Sequence, residues 1–225
     1  MLTAYMSERQ MNRKFRYRLG LGRLVLLPAL LCLVANVASA QSTQPIPATA
    51  LQAILADPLA TPASGAGRPD VTVVDYFDYN CSTCRGLEPE LHKLLAHDPK
   101  VRLVHKDWPI FGEASEYAAY CSFAAAREGK YQLAHDALIT SRVDLDSKDD
   151  VRGVLRTAGF DLKKLDADIS LHQKEYAEVL KRNQRETAGL GLHGTPGVIV
   201  GGQVVLGAID YARLERLVAQ ARAGR

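Results

Sequence analysis

The sequence predicts an α/β domain in which an all-helical insertion separates a β-α-β half from a β-β-α half. Three observations carry that reading. An apolar run, VTVVDYF at Val71–Phe77, leads through Cys81-Ser82-Thr83-Cys84 into a helical pattern and then a second apolar run at 101–106. From Glu113 onward about 75 residues keep helical periodicity without a strand signal. Strand character then returns at Gly197–Val200 and Gln203–Leu206, with one more amphipathic stretch behind it.

The first run is rich in β-branched and aromatic residues, so it reads as a buried strand, and Asn80 breaks it. After Cys84, residues Leu87, Leu91, Leu94 and Leu95 recur at helical spacing and form one buried stripe, while Pro89 bends this helix without ending it. Residues 101–106, VRLVHK, form the second strand, ended by Trp108-Pro109. A strand–helix–strand unit of this length implies parallel pairing through a right-handed crossover. Helices are expected over 113–128, closed by Gly129, over 130–141, and over 147–158, with Ser147 as N-cap and Gly159 past the C-terminus. Residues 162–190 are a long helical tract, two helices or one with a break. Gly201-Gly202 makes a two-residue hairpin turn, and Asp210 caps a last helix with Leu214, Leu217 and Val218 inward.

The N-terminal part has a different character. Residues 13–23 are basic, 24–37 are apolar, and Ala38-Ser39-Ala40 fits the small-x-small rule for cleavage before Gln41. The apolar run contains Pro28 and is shorter than the roughly 20 residues needed to span a bilayer. Residues 1–40 are therefore expected to be a signal peptide, with no membrane-spanning segment after its removal. Residues 1–10 add nothing a signal peptide needs, so Met11 is a second candidate start. Cys32 lies inside the apolar run and makes a poor lipid-attachment site. The formal charge of +3 over 225 residues belongs to this leader, which holds six Lys/Arg and one acidic residue. The remainder has 22 basic and 24 acidic side chains and gives no charge-based argument for nucleic-acid binding. Export would place the chain in an oxidising compartment such as the periplasm. Residues 41–70, rich in Pro, Ala and Ser, read as a linker with a short helix at 50–56. The expected organisation is therefore a signal peptide at 1–40, this linker at 41–70, an α/β domain from 71–112 and 190–225, and a helical insertion at 113–189.

The chemistry lies at the handover from strand to helix. The first-turn N–H groups of a helix have no intrahelical partner, and the helix dipole is positive there. Both favour a thiolate, and cysteine pKa values in such places fall to roughly 3.5–7.5. Cys81, at an exposed helix mouth, is the expected nucleophile, and Cys84, one turn in, the more buried resolving thiol. Their spacing lets them close a redox-active disulfide. The competing reading is a zinc half-site, which needs a second ligand pair, and no second Cys-x-x-Cys or clustered Cys/His pair is visible in the sequence. No metal or soluble cofactor is expected, since the dithiol is itself the redox centre.

Strand–Cys-x-x-Cys–helix, Thr195-Pro196 directly before a hairpin, and a closing helix together resemble the thioredoxin fold. With the helical block between its halves, the chain resembles the DsbA-like thiol–disulfide oxidoreductases over roughly residues 57–222. Phe77-Asp78-Tyr79-Asn80-Cys81 and Gly194-Thr195-Pro196 are similar to one bacterial branch of that family. The resemblance implies that Thr195-Pro196 is a cis peptide facing the dithiol, and that Thr195 pairs its backbone with an extended client peptide. It also implies that Asp75 is a buried acid beneath the dithiol, handling the Cys84 proton. The apolar neighbours Val73, Val74 and Phe77 agree with burial and a raised pKa. The spacer Ser82-Thr83 departs from the Pro-His of the family's strong oxidant, so no imidazole supports the thiolate from within the ring. His193 is read as an unremarkable loop residue, and Cys121 as a buried inert thiol.

The resemblance implies cysteine-containing client proteins and a recycling redox partner in the membrane. The sequence leaves the direction open between an oxidase and an isomerase or reductase. A non-enzymatic alternative is a copper-handling or chaperone-like module using the same thiols.

Overall fold

The computed structural model describes residues 44–56 and 62–224. The expected signal peptide and Cys32 lie outside the described residues. The element order is β1 (Gln44–Pro45), α1 (Ala48–Leu55), β2 (Ala63–Gly65), β3 (Val71–Phe77), α2 (Ser82–His97) and β4 (Val101–Asp107). Four consecutive helices follow: α3 (Glu113–Arg127), α4 (Tyr131–Ile139), α5 (Lys148–Thr157) and α6 (Leu162–Gly189). β5 (Gly197–Val200), β6 (Gln203–Leu206) and α7 (Tyr211–Ala223) close the chain.

The strands form one sheet in the order β1-β6-β5-β3-β4-β2. β3 and β4 are parallel, joined through α2, and all other pairs are antiparallel. Because side chains alternate along a strand, β3 serves two layers. Val71 and Val73 pack with Leu87, Leu91 and Leu94 of α2 and with Leu214, Leu217 and Val218 of α7. Val74 and Tyr76 face the other way, towards Ile54, Trp108 and Leu192. Asp75 shares the parity of Val71 and Val73, so the pleat turns it towards α2. In the parallel register it lies beside His105 of β4.

Residues 41–70 are not only a linker with one helix. Gln44–Pro45 pairs with β6, and Ala63–Gly65 pairs with β4. Neither segment has strand-like alternation; free sheet edges impose the pairing, which is a tertiary effect. A Cβ on Gly65, whose φ is +87°, would lie 2.5 Å from the Val101 carbonyl oxygen, so the close approach of β2 requires glycine. α6 is one continuous helix of 28 residues, without the break that the sequence left open. Asp161 caps it, accepting from the Lys163 and Lys164 amides, and the expected Ser147 cap of α5 is a full capping box with Asp150.

The helical block is fastened to the sheet where the dithiol loop leaves β3. Asp78 is 2% exposed. One of its carboxylate oxygens accepts from the Asn80 amide and the Ser115 hydroxyl, both at 2.7 Å. The other accepts from the amides of Ile110, at 2.6 Å, and Phe111, at 3.0 Å. Asn80 donates to the Leu145 carbonyl and accepts from its amide, at 2.7 and 3.1 Å. Arg85 reaches back from α2 to the Tyr79 and Ser141 carbonyls. Removing the Asp78 carboxylate orphans several donors at once, each worth about 1–3 kcal/mol when buried. Asp78→Ala is expected to lower stability by about 2–4 kcal/mol, read as a reduced urea midpoint at unchanged m-value.

Candidate functional site: a dithiol at a helix N-terminus

Cys81 is itself the N-cap residue of α2, and its sulfur accepts the Cys84 amide at 3.2 Å. N-caps are ordinarily Ser, Thr, Asp or Asn, whose side-chain oxygen satisfies one of the orphan amides; here a sulfur does so. In its thiol form Cys81 also donates to the Thr195 carbonyl, 3.4 Å away. The Thr195–Pro196 peptide bond is cis, and Pro196 and Gly197 are buried behind it. A Cβ on Gly197 would lie 2.6 Å from the Leu192 side chain, so glycine lets the loop descend against β3.

Sequence reasoning put Cys81 at an exposed helix mouth, whereas it is 4% exposed, against 2% for Cys84. The Thr195 carbonyl covers it on one side, and it packs in the same apolar cluster as Phe77, Tyr79 and the helical block. Such a helical block is invisible to an argument about α2 alone.

The two thiols are nonetheless strongly unequal. Cys81 is brought down to about 6, chiefly by a hydrogen bond from the Cys84 thiol, helped by the Thr195 side chain and the Cys84 and Thr83 amides, and opposed by burial. Cys81 is thereby biased towards the thiolate at neutral pH. Burial, above all, drives Cys84 far upward, and its role as donor to Cys81 and the nearby Asp75 add to this. The two sulfurs are thus set apart, one biased towards the thiolate and the other towards the thiol.

Asp75 is 2% exposed, with one oxygen buried and without a hydrogen-bond partner among the described residues. Its carboxyl is raised well above the usual range, first by burial, then by the charges of Glu88, Cys81 and Asp107. Sequence reasoning missed two of its neighbours. Glu88, 2% exposed, sits on the buried stripe between Cys84 and Leu91, and burial raises it too. A charge at a stripe position was the available signal. His105 is fully buried, neither ring nitrogen is hydrogen-bonded among the described residues, and burial lowers its pKa far below the usual imidazole range. Its alternation with Val101 and Leu103 in the same strand was the corresponding clue. Asp78 and Asn80, which hold the loop, were likewise not assigned a role from sequence. His193 is exposed. Cys121 is 1% exposed within the helical block, and burial pushes its thiol up to about 12, which makes it inert.

The Cys81 shift makes the stability of the dithiol form depend on pH. Its folded pKa lies below the unfolded value of about 8.5, so its contribution is present above the unfolded pKa and is lost as pH falls through about 6. The disulfide form has no such group, and carboxylates remote from the sulfurs cancel, whereas Asp75 feels the Cys81 charge only in the dithiol form. The stability of the dithiol form relative to the disulfide form should therefore rise between about pH 6 and pH 8, with a slope approaching 1.4 kcal/mol per pH unit. Paired urea titrations of the two forms check this; a flat difference contradicts it.

With this geometry established, comparison with known proteins places the chain. The family model for a DSBA-like thioredoxin domain matches residues 72–219. A thioredoxin-like oxidoreductase from Silicibacter pomeroyi DSS-3 is similar at 34% identity and a TM-score of 0.72, covering 76% of this chain and 97% of that one. A periplasmic thioredoxin-like protein from Salmonella enterica serovar Typhimurium is 28% identical with a TM-score of 0.67, covering 80% and 99%. The thiol-disulfide exchange protein alpha-DsbA2 of Wolbachia pipientis is 25% identical with a TM-score of 0.69, covering 76% and 91%. The chain spans about a quarter of the length of the curated relatives it matches, Na(+)/H(+) antiporters such as NhaA 1 of Mycolicibacterium gilvum, 28% identical over 162 residues, 69% of this chain and 26% of that protein. Among the described residues no helix is long and apolar enough to cross a membrane. The fold is thus thioredoxin-like with four helices between β4 and β5, and the chain belongs to the family of DSBA-like thioredoxin domains.

Proposed function

We propose that this chain is an exported thiol–disulfide oxidoreductase working through the Cys81-Ser82-Thr83-Cys84 dithiol on cysteine-containing client proteins. The observation that carries the reading is the Cys81 sulfur, held by the α2 N-terminus at 3.2 Å from the Cys84 amide and 3.4 Å from the Thr195 carbonyl. The leader-like residues 1–40 support export, as does the resemblance to a periplasmic protein.

In the oxidising direction a client thiolate attacks Sγ of Cys81 in the Cys81–Cys84 disulfide. The S–S bond breaks, a client–Cys81 mixed disulfide forms, and Cys84 leaves as a thiolate that takes up a proton. A second client thiolate attacks the client sulfur and expels Cys81 as a thiolate. The client loses two electrons and gains a disulfide, and the protein is left as the dithiol. A membrane redox partner would reoxidise it. The client backbone would lie along Thr195 and Pro196, pairing as an added strand. Asp75 would accept and return the Cys84 proton, since it is the acid the Cys84 thiol senses from below.

Direction follows from the relative stability of the two redox forms. A thiolate stabilised to about pKa 6 favours the reduced form and makes the disulfide the better oxidant. That value lies between those of thioredoxin, about 7, and DsbA, about 3.5. The reduction potential is accordingly expected between about −270 and −120 mV. Glutathione titration measures it; a dithiol found largely oxidised at the poise of a reducing cytosol would instead indicate a reductase or isomerase cycle.

Two substitutions test the roles. Cys84→Ser is expected to trap the mixed disulfide with a client, and Cys81→Ser to abolish exchange. Full cellular activity in the double Cys81→Ser/Cys84→Ser variant would favour the metal-handling or chaperone alternative. Asp75→Asn is expected to slow turnover by about tenfold or more through the Cys84 proton, with the alkylation rate of Cys81 little changed. Equal slowing of both would mean that Asp75 acts on structure.

A further inference from the structure

One turn past Cys84, two helices bring together four metal-binding side chains that are scattered in the sequence. Glu88 and His92 are four residues apart on one face of α2, and His135 and Asp136 are consecutive on α4. Nε2 of His92 lies 2.9 Å from Oε1 of Glu88 and 3.7 Å from Oδ1 of Asp136. Nε2 of His135 lies 3.4 Å from the same Glu88 oxygen. Donor atoms from Glu88, His135 and Asp136 all fall within 4.8 Å of one another. Four ligands held at 2.0–2.1 Å in a tetrahedron would stand about 3.3 Å apart, and the three distances of 2.9, 3.4 and 3.7 Å lie around that value.

A second observation points to a ligand. Glu88 and His135 are 2% and 0% exposed. Glu88 Oε1 and His135 Nε2 are both buried, and although Glu88 Oε1 lies 2.9 Å from His92 Nε2 and 3.4 Å from His135 Nε2, neither atom makes a hydrogen bond of good geometry among the described residues. Buried unpaired polar atoms are costly and call for an explanation such as an ion. These two atoms lie 3.4 Å apart. The other two donors, His92 and Asp136, are 44% and 42% exposed, so the cluster is reachable from solvent.

We propose that Glu88, His92, His135 and Asp136 form a binding site for a divalent transition cation of the zinc class. Two imidazoles and two carboxylates suit zinc and its neighbours, whereas calcium and magnesium prefer all-oxygen sites. The surroundings are those of a metal site. The Tyr79 hydroxyl sits 3.3 Å from Nδ1 of His135, which leaves Nε2 free to ligate when Nδ1 carries the proton. Gln132 donates to Asp136 Oδ1 at 2.7 Å and orients that carboxylate. The cation would clamp the helix that bears the dithiol to the helical block. The site uses neither active-site sulfur and does not rest on the redox assignment.

The dithiol can itself bind zinc, so the test uses the full chain in its disulfide form. Zn2+ affinity is measured by competition with a chromophoric chelator, and Co2+ serves as a spectroscopic probe. We expect one Zn2+ per chain with micromolar or tighter affinity, together with visible Co2+ bands of a four-coordinate site and no thiolate charge-transfer band. His92→Gln and Asp136→Asn, both at partly exposed positions, should each weaken binding at least tenfold, and the pair at least a hundredfold. Zn2+ should also raise the thermal midpoint of the unsubstituted protein and not that of the double variant. The proposal is overturned if the disulfide form takes up no Zn2+, or if the folded variants bind as tightly as the unsubstituted chain.

Discussion

A sulfur capping a helix is the interaction on which the rest of this structure depends. The Cys84 amide is one of the donors that every helix leaves unsatisfied at its start, and the side chain that accepts from it is that of Cys81. As a thiolate, Cys81 is a charged acceptor in the positive end of the dipole. As half of a disulfide, it is a neutral and weaker one. Capping of α2 and the redox state proposed for the pair are therefore two faces of one equilibrium. Whatever strengthens the cap favours the dithiol, and whatever loosens it favours the disulfide.

The rest of the site keeps that cap in place. Asp78 and Asn80 collect hydrogen bonds from the α3 approach, from Ser115 and from Leu145, so the loop between β3 and α2 cannot drift. The cis Thr195–Pro196 loop covers Cys81 and presents a carbonyl to it. Underneath, the parallel register of β3 and β4 sets Asp75 beside His105 on the face that α2 covers. Buried acids without full pairing oppose folding. Here burial instead raises the Asp75 pKa, which lessens the cost of keeping the carboxyl inside. Such an arrangement trades stability for chemistry, as functional sites commonly do.

Much of this was legible in the sequence because the signals were local. The run Val71–Phe77, the Cys-x-x-Cys pair and the Leu87/Leu91/Leu94 stripe each fix their own conformation, and the glycine pair 201–202 sets the hairpin. The Ser147 and Asp210 caps were readable for the same reason. What escaped is what depends on distant partners. Gln44–Pro45 and Ala63–Gly65 have no intrinsic strand character and become strands only because a sheet edge is offered to them. The cover over Cys81 comes from a loop more than a hundred residues away. The convergence of Glu88 and His92 with His135 and Asp136 required two helices to pack in one particular register. Glu88 and His105 stood at positions whose neighbours were all buried, and that conflict between residue type and periodicity was the one trace of the polar interior that the sequence carried.

The claim that a capping sulfur holds a thiolate at neutral pH is tested most directly by ultraviolet absorbance. The thiolate absorbs near 240 nm and the thiol does not, so a pH titration of the reduced protein, with the disulfide form as blank, reads the ionisation of Cys81 alone while Cys84 and Cys121 remain thiols. The account predicts a single step with a midpoint of about 6. A midpoint near the value of about 8.5 found for a free cysteine would contradict it.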